Sequence, residues 1–250
     1  CWQCRRELAL DTAVRAQHEA NYWSDSYFLT LTYDNEHLPD NSSLHRPHIT
    51  TFVRELKRHK NIMVFGCGEY GGKFGRPHYH LIVFSNSQIP REEYEKLWVH
   101  GSIDVGTCTP ASIAYVCKYS VKKVLGNNAV TYYRETLPEF GIFPKRPAMG
   151  KRWFDQNIPF LLSNNFVYYN DGKRRIPRYY KKLLQESHPD RAAQKSLESQ
   201  QYMIEAVIDS ELTRFARTYN YLSLGDRNSL RADNLDAFYL AFFNHNLCSN

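Results

Sequence analysis

Two apolar runs, NIMVFGCG (61–68) and HYHLIVF (78–84), lie on either side of a short glycine-rich stretch. Both are rich in Val, Ile, Phe and Tyr, which suit a pleated, half-buried surface. So short a connection has no room for a crossover, and the two runs are expected to pair as an antiparallel hairpin. That hairpin constrains the rest of the chain: the fold needs a sheet, mostly antiparallel, on which the flanking segments can be laid.

The flanking segments supply both strands and helices. Arg5 to Tyr22 is dominated by Ala, Leu, Arg and Glu, with no Gly or Pro, and predicts a helix. SYFLTLTY, Ser26 to Tyr33, predicts a strand ended by Asp34, Asn35 and Pro39. Ile49, Phe52, Val53 and Leu56 form one stripe of a helix over 49–59. A short helix over Arg91–Trp98 and a short strand near Ser102–Val105 follow. Thr109 then reads as an N-cap with Pro110 at the first helical position of ASIAYVCKYSVKKVLG, which stops at Gly126 and Asn127. The mixture predicts an α+β fold, an antiparallel sheet with flanking helices. Beyond it come a polar loop, a basic segment, a hairpin at Asn170-Asp171-Gly172 and a charged helix over Ala192–Tyr219. The expected division is a core over 1–126 and a basic, partly helical C-terminal region over 127–250 that packs on it.

Composition narrows the function. No apolar run is long enough to span a bilayer and the start shows no signal-peptide pattern, so no membrane partner is expected. The chain begins with Cys rather than Met, so residues are expected to precede it. Six cysteines in 250 residues do not make a disulfide scaffold and fit a reducing cytoplasm. Cys1 and Cys4 form a C-x-x-C, half of a zinc site or two ordinary thiols.

Charge is unevenly spread. Between Lys145 and Lys182 ten Lys/Arg stand against two acids, a local charge of +8 in a chain whose total is +6. Trp153, Phe154, Tyr168, Tyr169, Tyr179 and Tyr180 are interleaved with these charges. Bases stack on aromatic faces and phosphates pair with cations, so the mixture suits nucleic acid, single strands especially. It equally suits a solvated basic face over an aromatic core.

Two clusters could carry chemistry. His78 and His80 alternate with Tyr79 along a strand, so both imidazoles share one face and can grip a divalent metal. Glu69, at the end of the preceding strand, is either the third ligand or a solvated turn residue, depending on hairpin register. Two His and one carboxylate suit Mg²⁺ or Mn²⁺ bound with a substrate phosphate. The second cluster is YVCKYSVKK, in which Tyr115 and Tyr119 lie one helical turn apart, Lys122 continues their face and Lys118 lies three beyond Tyr115. The tyrosines either pack half-buried on the sheet or act as nucleophiles toward a metal-polarised phosphate. In the second case a tyrosine attacks phosphorus, expels a 3′-hydroxyl and keeps the energy of the cleaved bond in a phosphotyrosine.

H-x-H followed by Y-x-x-x-Y-x-x-K on a helix resembles the HUH endonucleases, the rolling-circle replication initiators and their relatives. The chain is most similar to the replication initiation proteins of microviruses, in particular the gokushovirus branch. The likeness is carried by FLTLTYDNEHLP, GEYGGKFGRPHYHLIVF, ASIAYVCKYSVKK, KRPAMGKRWF and IPRYYKKLL, and covers Cys1 to about Leu184. The resemblance implies a palm-like sheet with the histidines on a central strand, Mg²⁺ or Mn²⁺, and origin-specific nicking and rejoining of single-stranded DNA through a 5′-phosphotyrosine. It implies His78, His80 and Glu69 as metal ligands, Tyr115 and Tyr119 as nucleophiles, and Lys122 or Lys123 as the cation near the phosphate, helical geometry favouring Lys122. Lys118, Lys123, Arg76, Lys151, Arg152, Lys173, Arg174, Arg175 and Arg178 are the expected DNA contacts. Cys117 and Ser120, within the tyrosine motif, are small and should leave the tyrosine face undisturbed.

The implied partners are single-stranded or supercoiled origin DNA and, because no Walker-type phosphate loop occurs, a host helicase and polymerase in the cytoplasm of a bacterial host. Two other readings remain: a transposase or relaxase with the same chemistry, and a DNA-binding module whose histidines and tyrosines serve only the fold. His37, His45, His48, His59 and His100 are expected to be structural or solvent residues.

Overall fold

The computed structural model describes residues 2–72, 75–121 and 127–218. Helix α1 (Trp2–Ala20) leads into strand β1 (Asp25–Tyr33), helix α2 (Arg46–His59), the hairpin strands β2 (Ile62–Tyr70) and β3 (Pro77–Ser85), helix α3 (Arg91–Leu97), strand β4 (Gly101–Thr107) and helix α4 (Pro110–Val121). Then follow α5 (Asn127–Tyr133), β5 (Phe140–Ile142), α6 (Lys151–Gln156), α7 (Ile158–Ser163), strands β6 (Phe166–Tyr169) and β7 (Gly172–Arg175), α8 (Arg178–Ser187) and α9 (Pro189–Thr218). Residues Cys1–Ala192 form one compact unit and a second begins at Ala193. Among the described residues no helix is long and apolar enough to cross a membrane.

Five strands form one antiparallel sheet in the order β4-β1-β3-β2-β5, flanked by helices, so the fold is α+β as expected. The hairpin of β2 and β3 is its centre. Period-2 alternation sorts their side chains onto two faces. Tyr79, Leu81 and Val83 of β3 join Leu29, Leu31 and Tyr33 of β1 against Ile49, Phe52 and Leu56 of α2 and Tyr94 of α3. Each such fully buried apolar side chain contributes about 1.5–3 kcal/mol relative to exposure. Ile82, Phe84, Met63, Phe65 and Cys67 point the other way, against Ala13 and Ala16 of α1 and Ile113, Val116 and Cys117 of α4.

Local chemistry sets the approach of α4 to the sheet. The Thr109 hydroxyl accepts from the Ser112 backbone N–H at 3.1 Å, the expected N-cap bond. Cys117 and Ser120 are buried on its inner face. The Ser120 hydroxyl donates to the Gly66 carbonyl at 3.2 Å, which ties the helix to β2. Gly66 itself has no room for a side chain, because a Cβ there would overlap the His80 carbonyl oxygen and the Leu81 side chain. On the far face Tyr79 is fastened by its hydroxyl. It accepts from the His45 N–H at 2.8 Å, donates to the His45 carbonyl at 2.9 Å and lies 3.0 Å from the Tyr33 hydroxyl.

A third cluster builds on the outer side of α1. Val14 packs with Phe154, Leu161, Val167, Ile176, Tyr180 and Leu184. His18 of α1 threads into it, its ring stacked on Trp153 at 3.8 Å. Its Nε2 lies 3.1 Å from the Tyr168 carbonyl, an acceptor, so Nε2 carries the proton and Nδ1 accepts from the Tyr180 hydroxyl at 3.2 Å. Burial pushes the His18 pKa down to about 4.

After residue 126 the fold departs from the sequence expectation. In place of a polar loop stand α5 and the edge strand β5, which pairs with β2 through Gly66–Ile142, Cys67–Gly141 and Gly68–Phe140. The basic segment contains three helices, α6, α7 and α8, that composition did not reveal. The expected hairpin is present. Asn170 (φ 45°) and Asp171 (φ 60°) form its two-residue turn, the left-handed pair that joins tightly twisted strands, and Gly172 opens β7. The long C-terminal helix starts at Pro189 rather than Ala192, while Tyr219 and the expected helix stop at Gly126 lie outside the described residues.

Candidate active site

Strand register brings the first cluster together. Glu69 pairs directly with His78 across β2–β3, which puts both side chains on one face, and His80 follows two residues along. Glu69 is therefore a ladder residue, not part of the turn. Its Oε1 lies 3.2 Å from His78 Nε2 and 3.0 Å from His80 Nε2. The donor atoms of Glu69, His78 and His80 all lie within 4.8 Å of one another, so the three can hold a metal ion.

The surrounding hydrogen bonds fit that role. His78 Nδ1 is 3.0 Å from the Arg76 carbonyl, which can only accept, so Nδ1 carries a proton. In the neutral ring Nε2 then offers a lone pair toward a carboxylate oxygen. Two acceptors at that distance call for a second proton on His78 or a cation between them. His80 Nδ1 is held at 3.1 Å by the Thr30 hydroxyl on β1, the cross-strand neighbour of His80. The other oxygen of Glu69, Oε2, is buried without a partner, so the carboxylate keeps an unused donor site.

The tyrosine helix reaches the same oxygen. The Tyr115 hydroxyl donates to Glu69 Oε1 at 3.0 Å. Burial alone would raise the Glu69 carboxyl, but the hydrogen bonds from His78, His80 and Tyr115 outweigh it and hold the pKa at about 2. Burial, then the Glu69 charge and hydrogen bond, push the Tyr115 phenol well above its ordinary range. The Tyr119 ring lies 4.5 Å from that of Tyr115, centroid to centroid, and Lys118 Nζ is 5.7 Å from the Tyr119 ring. Phe28 walls the site, stacked at 5.6 Å on His80 and edge-on at 6.3 Å to Tyr115.

These geometries sit inside a stretch with known relatives. Residues 26–124 match the family of replication-associated protein ORF2. The replication-associated protein VP4 of Bdellovibrio phage phiMH2K is 30% identical to this chain over 251 residues, covering 88% of the chain and 78% of that protein. The chain belongs to the phage replication-associated proteins. Two further members of this family are similar: ORF4 of Chlamydia phage 1, 31% identical over 74% of the chain and 52% of that protein, and ORF2 of Spiroplasma virus 4, 27% identical over 76% and 68%. Among solved structures, the hypothetical protein ORF119 of Sulfolobus islandicus rod-shaped virus 1 is 22% identical with a TM-score of 0.33, covering 44% of this chain and 89% of that one, a likeness too slight to bear on the fold. Glu69, His78, His80, Tyr115 and Tyr119 all fall within the matched stretch of this replication-associated protein.

The remaining expected residues are scattered. Lys122 and Lys123 lie outside the described residues. The Arg76 guanidinium bonds Asn35, at 2.6 Å from Nη2, while its carbonyl orients His78. Lys151 is paired with Asp155, and Arg175 ties β7 to Glu7 and Asp11 of α1. Arg152 lies over the Tyr22 ring at 5.2 Å and Lys173 over the Phe166 ring at 4.2 Å. Arg174 and Arg178 are exposed.

Sequence reasoning missed Thr30 and Phe28. Their signal was the alternation in SYFLTLTY, which puts Phe28, Thr30 and Thr32 on one face, but only the β1–β3 register aligns that face with the histidines. It also left four histidines apart that the fold gathers on the other face of the sheet. His48 stacks on His100 at 3.8 Å, meets His45 edge-on at 4.1 Å, and bonds the Tyr33 hydroxyl at 3.0 Å, while His37 bonds Asp34. Stacked rings do not converge on a shared ion, and among the described residues their donor atoms do not gather as those of Glu69, His78 and His80 do.

Proposed function

We propose that this replication-associated protein is a replication initiator that nicks and rejoins single-stranded DNA, with Tyr115 as nucleophile and Glu69, His78 and His80 as the metal site. The observation that carries the reading is the meeting of Tyr115 Oη, His78 Nε2 and His80 Nε2 on a single oxygen, Glu69 Oε1. A nucleophile and a metal claw that share an atom can act on one phosphate.

The Glu69 and imidazole donors, with Thr30 and the Arg76 carbonyl behind them, fix where a phosphate oxygen can be held. A divalent cation, Mg²⁺ or Mn²⁺, would polarise the scissile phosphate and offset the Glu69 charge beside Tyr115. Tyr115 Oη then forms the bond to phosphorus as the bond to the 3′ oxygen breaks. The phenol gives up its proton and the departing 3′ oxygen gains one, which leaves a 5′-phosphotyrosine and a free 3′-hydroxyl. Tyr119, one turn away and in ring contact with Tyr115, is placed to attack the next junction. Exposed Lys118 supplies positive charge beside it. In this reading residues 1–126 carry the chemistry and the basic region from 127 onward grips the DNA, with host proteins supplying unwinding and synthesis.

The test is a nicking assay on origin-like single-stranded oligonucleotides with Mn²⁺. Tyr115→Phe should fold, bind Mn²⁺ and lose the covalent adduct. An adduct mapped by mass spectrometry to a residue other than Tyr115 or Tyr119, or undiminished nicking by a His78→Ala, His80→Ala double variant, would overturn the assignment.

A further inference from the structure

The basic segment is less basic than its composition suggests. Lys151, Arg175 and Lys182 are each paired with acids. Lys173 and Arg174, both exposed on the β6–β7 hairpin, have no acidic partner among the described residues. The hairpin has one buried face, where Val167 and Ile176 enter the third cluster. Its other face carries aromatics. Phe166 and Tyr168 stand two residues apart on β6 and touch edge to face at 5.3 Å, and Phe160 of α7 lies 5.8 Å from Phe166. Tyr168 is 52% exposed although it is one of the larger apolar surfaces the chain could have covered. Lys173 pairs with Tyr168 across the ladder and reaches over the Phe166 ring.

We propose that this outer face, Phe160, Phe166 and Tyr168 with Lys173 and Arg174, is a stacking platform for the bases of single-stranded DNA. The proposal rests on single-stranded DNA being the substrate, as argued above. Exposed rings in a row accept bases of any sequence, and unpaired cations beside them meet the phosphates. The platform is fastened to the body of the protein. The Tyr168 carbonyl bonds His18 of α1, and Tyr169, the next residue, packs into the cluster that holds Val116 and Cys117 of the tyrosine helix. The platform is thus one packed layer from the helix that presents Tyr115 and Tyr119, on the same compact unit.

The experiment is fluorescence anisotropy of a labelled oligothymidylate with the full chain, over a range of salt, alongside the nicking assay. Tyr168→Ala should weaken binding about tenfold at every salt concentration with the salt slope unchanged, since stacking releases no counterions. Tyr168→Phe should bind as the wild type does. Lys173→Ala should lower the salt slope by about one. Thermal melting of Tyr168→Ala at the wild-type temperature shows that a loss of binding is not a loss of fold. Wild-type affinity in Tyr168→Ala, with nicking intact, would overturn the platform and leave the active-site reading standing. Loss of binding in Tyr168→Ala beside a wild type that binds but never nicks would support the platform and remove the chemistry. A wild type with no affinity for the single strand would overturn both.

Discussion

Glu69→Gln is the sharpest perturbation, because it keeps the shape of the site and removes its charge. In the protein without metal, the Glu69 carboxyl is held at about 2 against an ordinary 4.5. By linkage that shift corresponds to about 3 kcal/mol of stability at neutral pH, present above pH ~4.5 and lost as pH falls toward 2. The amide keeps an acceptor oxygen, so the variant should lose only part of it, about 1–2 kcal/mol, or a few degrees in melting temperature. The larger difference comes with Mn²⁺. At a hundredfold excess over Kd a bound ion adds about 2.7 kcal/mol to the native state, which for a chain of this size raises the melting temperature by about 5–10 °C. Glu69→Gln should lose nearly all of that rise. Differential scanning fluorimetry across a Mn²⁺ series measures both effects. A rise in Glu69→Gln equal to that of the wild type would show that the carboxylate is not a ligand.

Other expectations follow from the same geometry. Thr30→Val removes the hydroxyl that holds His80 Nδ1 and should weaken Mn²⁺ binding by about 10- to 100-fold in calorimetric titration, with unchanged affinity refuting the support role. His18 has a folded pKa of about 4 against 6.5, so its contribution is complete above pH ~6.5 and is lost as pH falls toward 4, about 3 kcal/mol in all. Urea midpoints measured across that window should fall less steeply in His18→Gln; an identical pH slope would refute this. Gly66→Ala should spread β2 from β3, lower the melting temperature and abolish the Mn²⁺-dependent rise, because the new Cβ meets backbone rather than a movable side-chain end.

What was legible in the sequence was local. The hairpin, the Thr109 cap, the α2 stripe and the Asn170-Asp171 turn each follow from residues within a few positions of one another, and each stands in the structure. Glu69 was legible as a candidate ligand because the register of a short hairpin has few alternatives. β5 was not, since three residues at a sheet edge carry no periodicity and are strands only because β2 offers them a partner. α6 and α7, six residues each, are likewise held by the cluster they enter, not by propensity. The gathering of His45, His48 and His100, and the ion pairs that quench Lys151 and Arg175, are tertiary facts that composition cannot express.

Tyr79 stands between the two histidines in the chain but belongs to the other side of the sheet, where His45 and Tyr33 hold its hydroxyl. A strand that is clamped on one side cannot roll about its axis, so His78 and His80 take their aim from a fastening behind them. The consequence is evolutionary as much as mechanical. The loop that enters α2 never meets a substrate, yet a drift in its backbone at His45 would be felt at the claw as lost alignment. Selection for an active centre on the front of this sheet therefore also selects, unseen, for the path of the chain across its back.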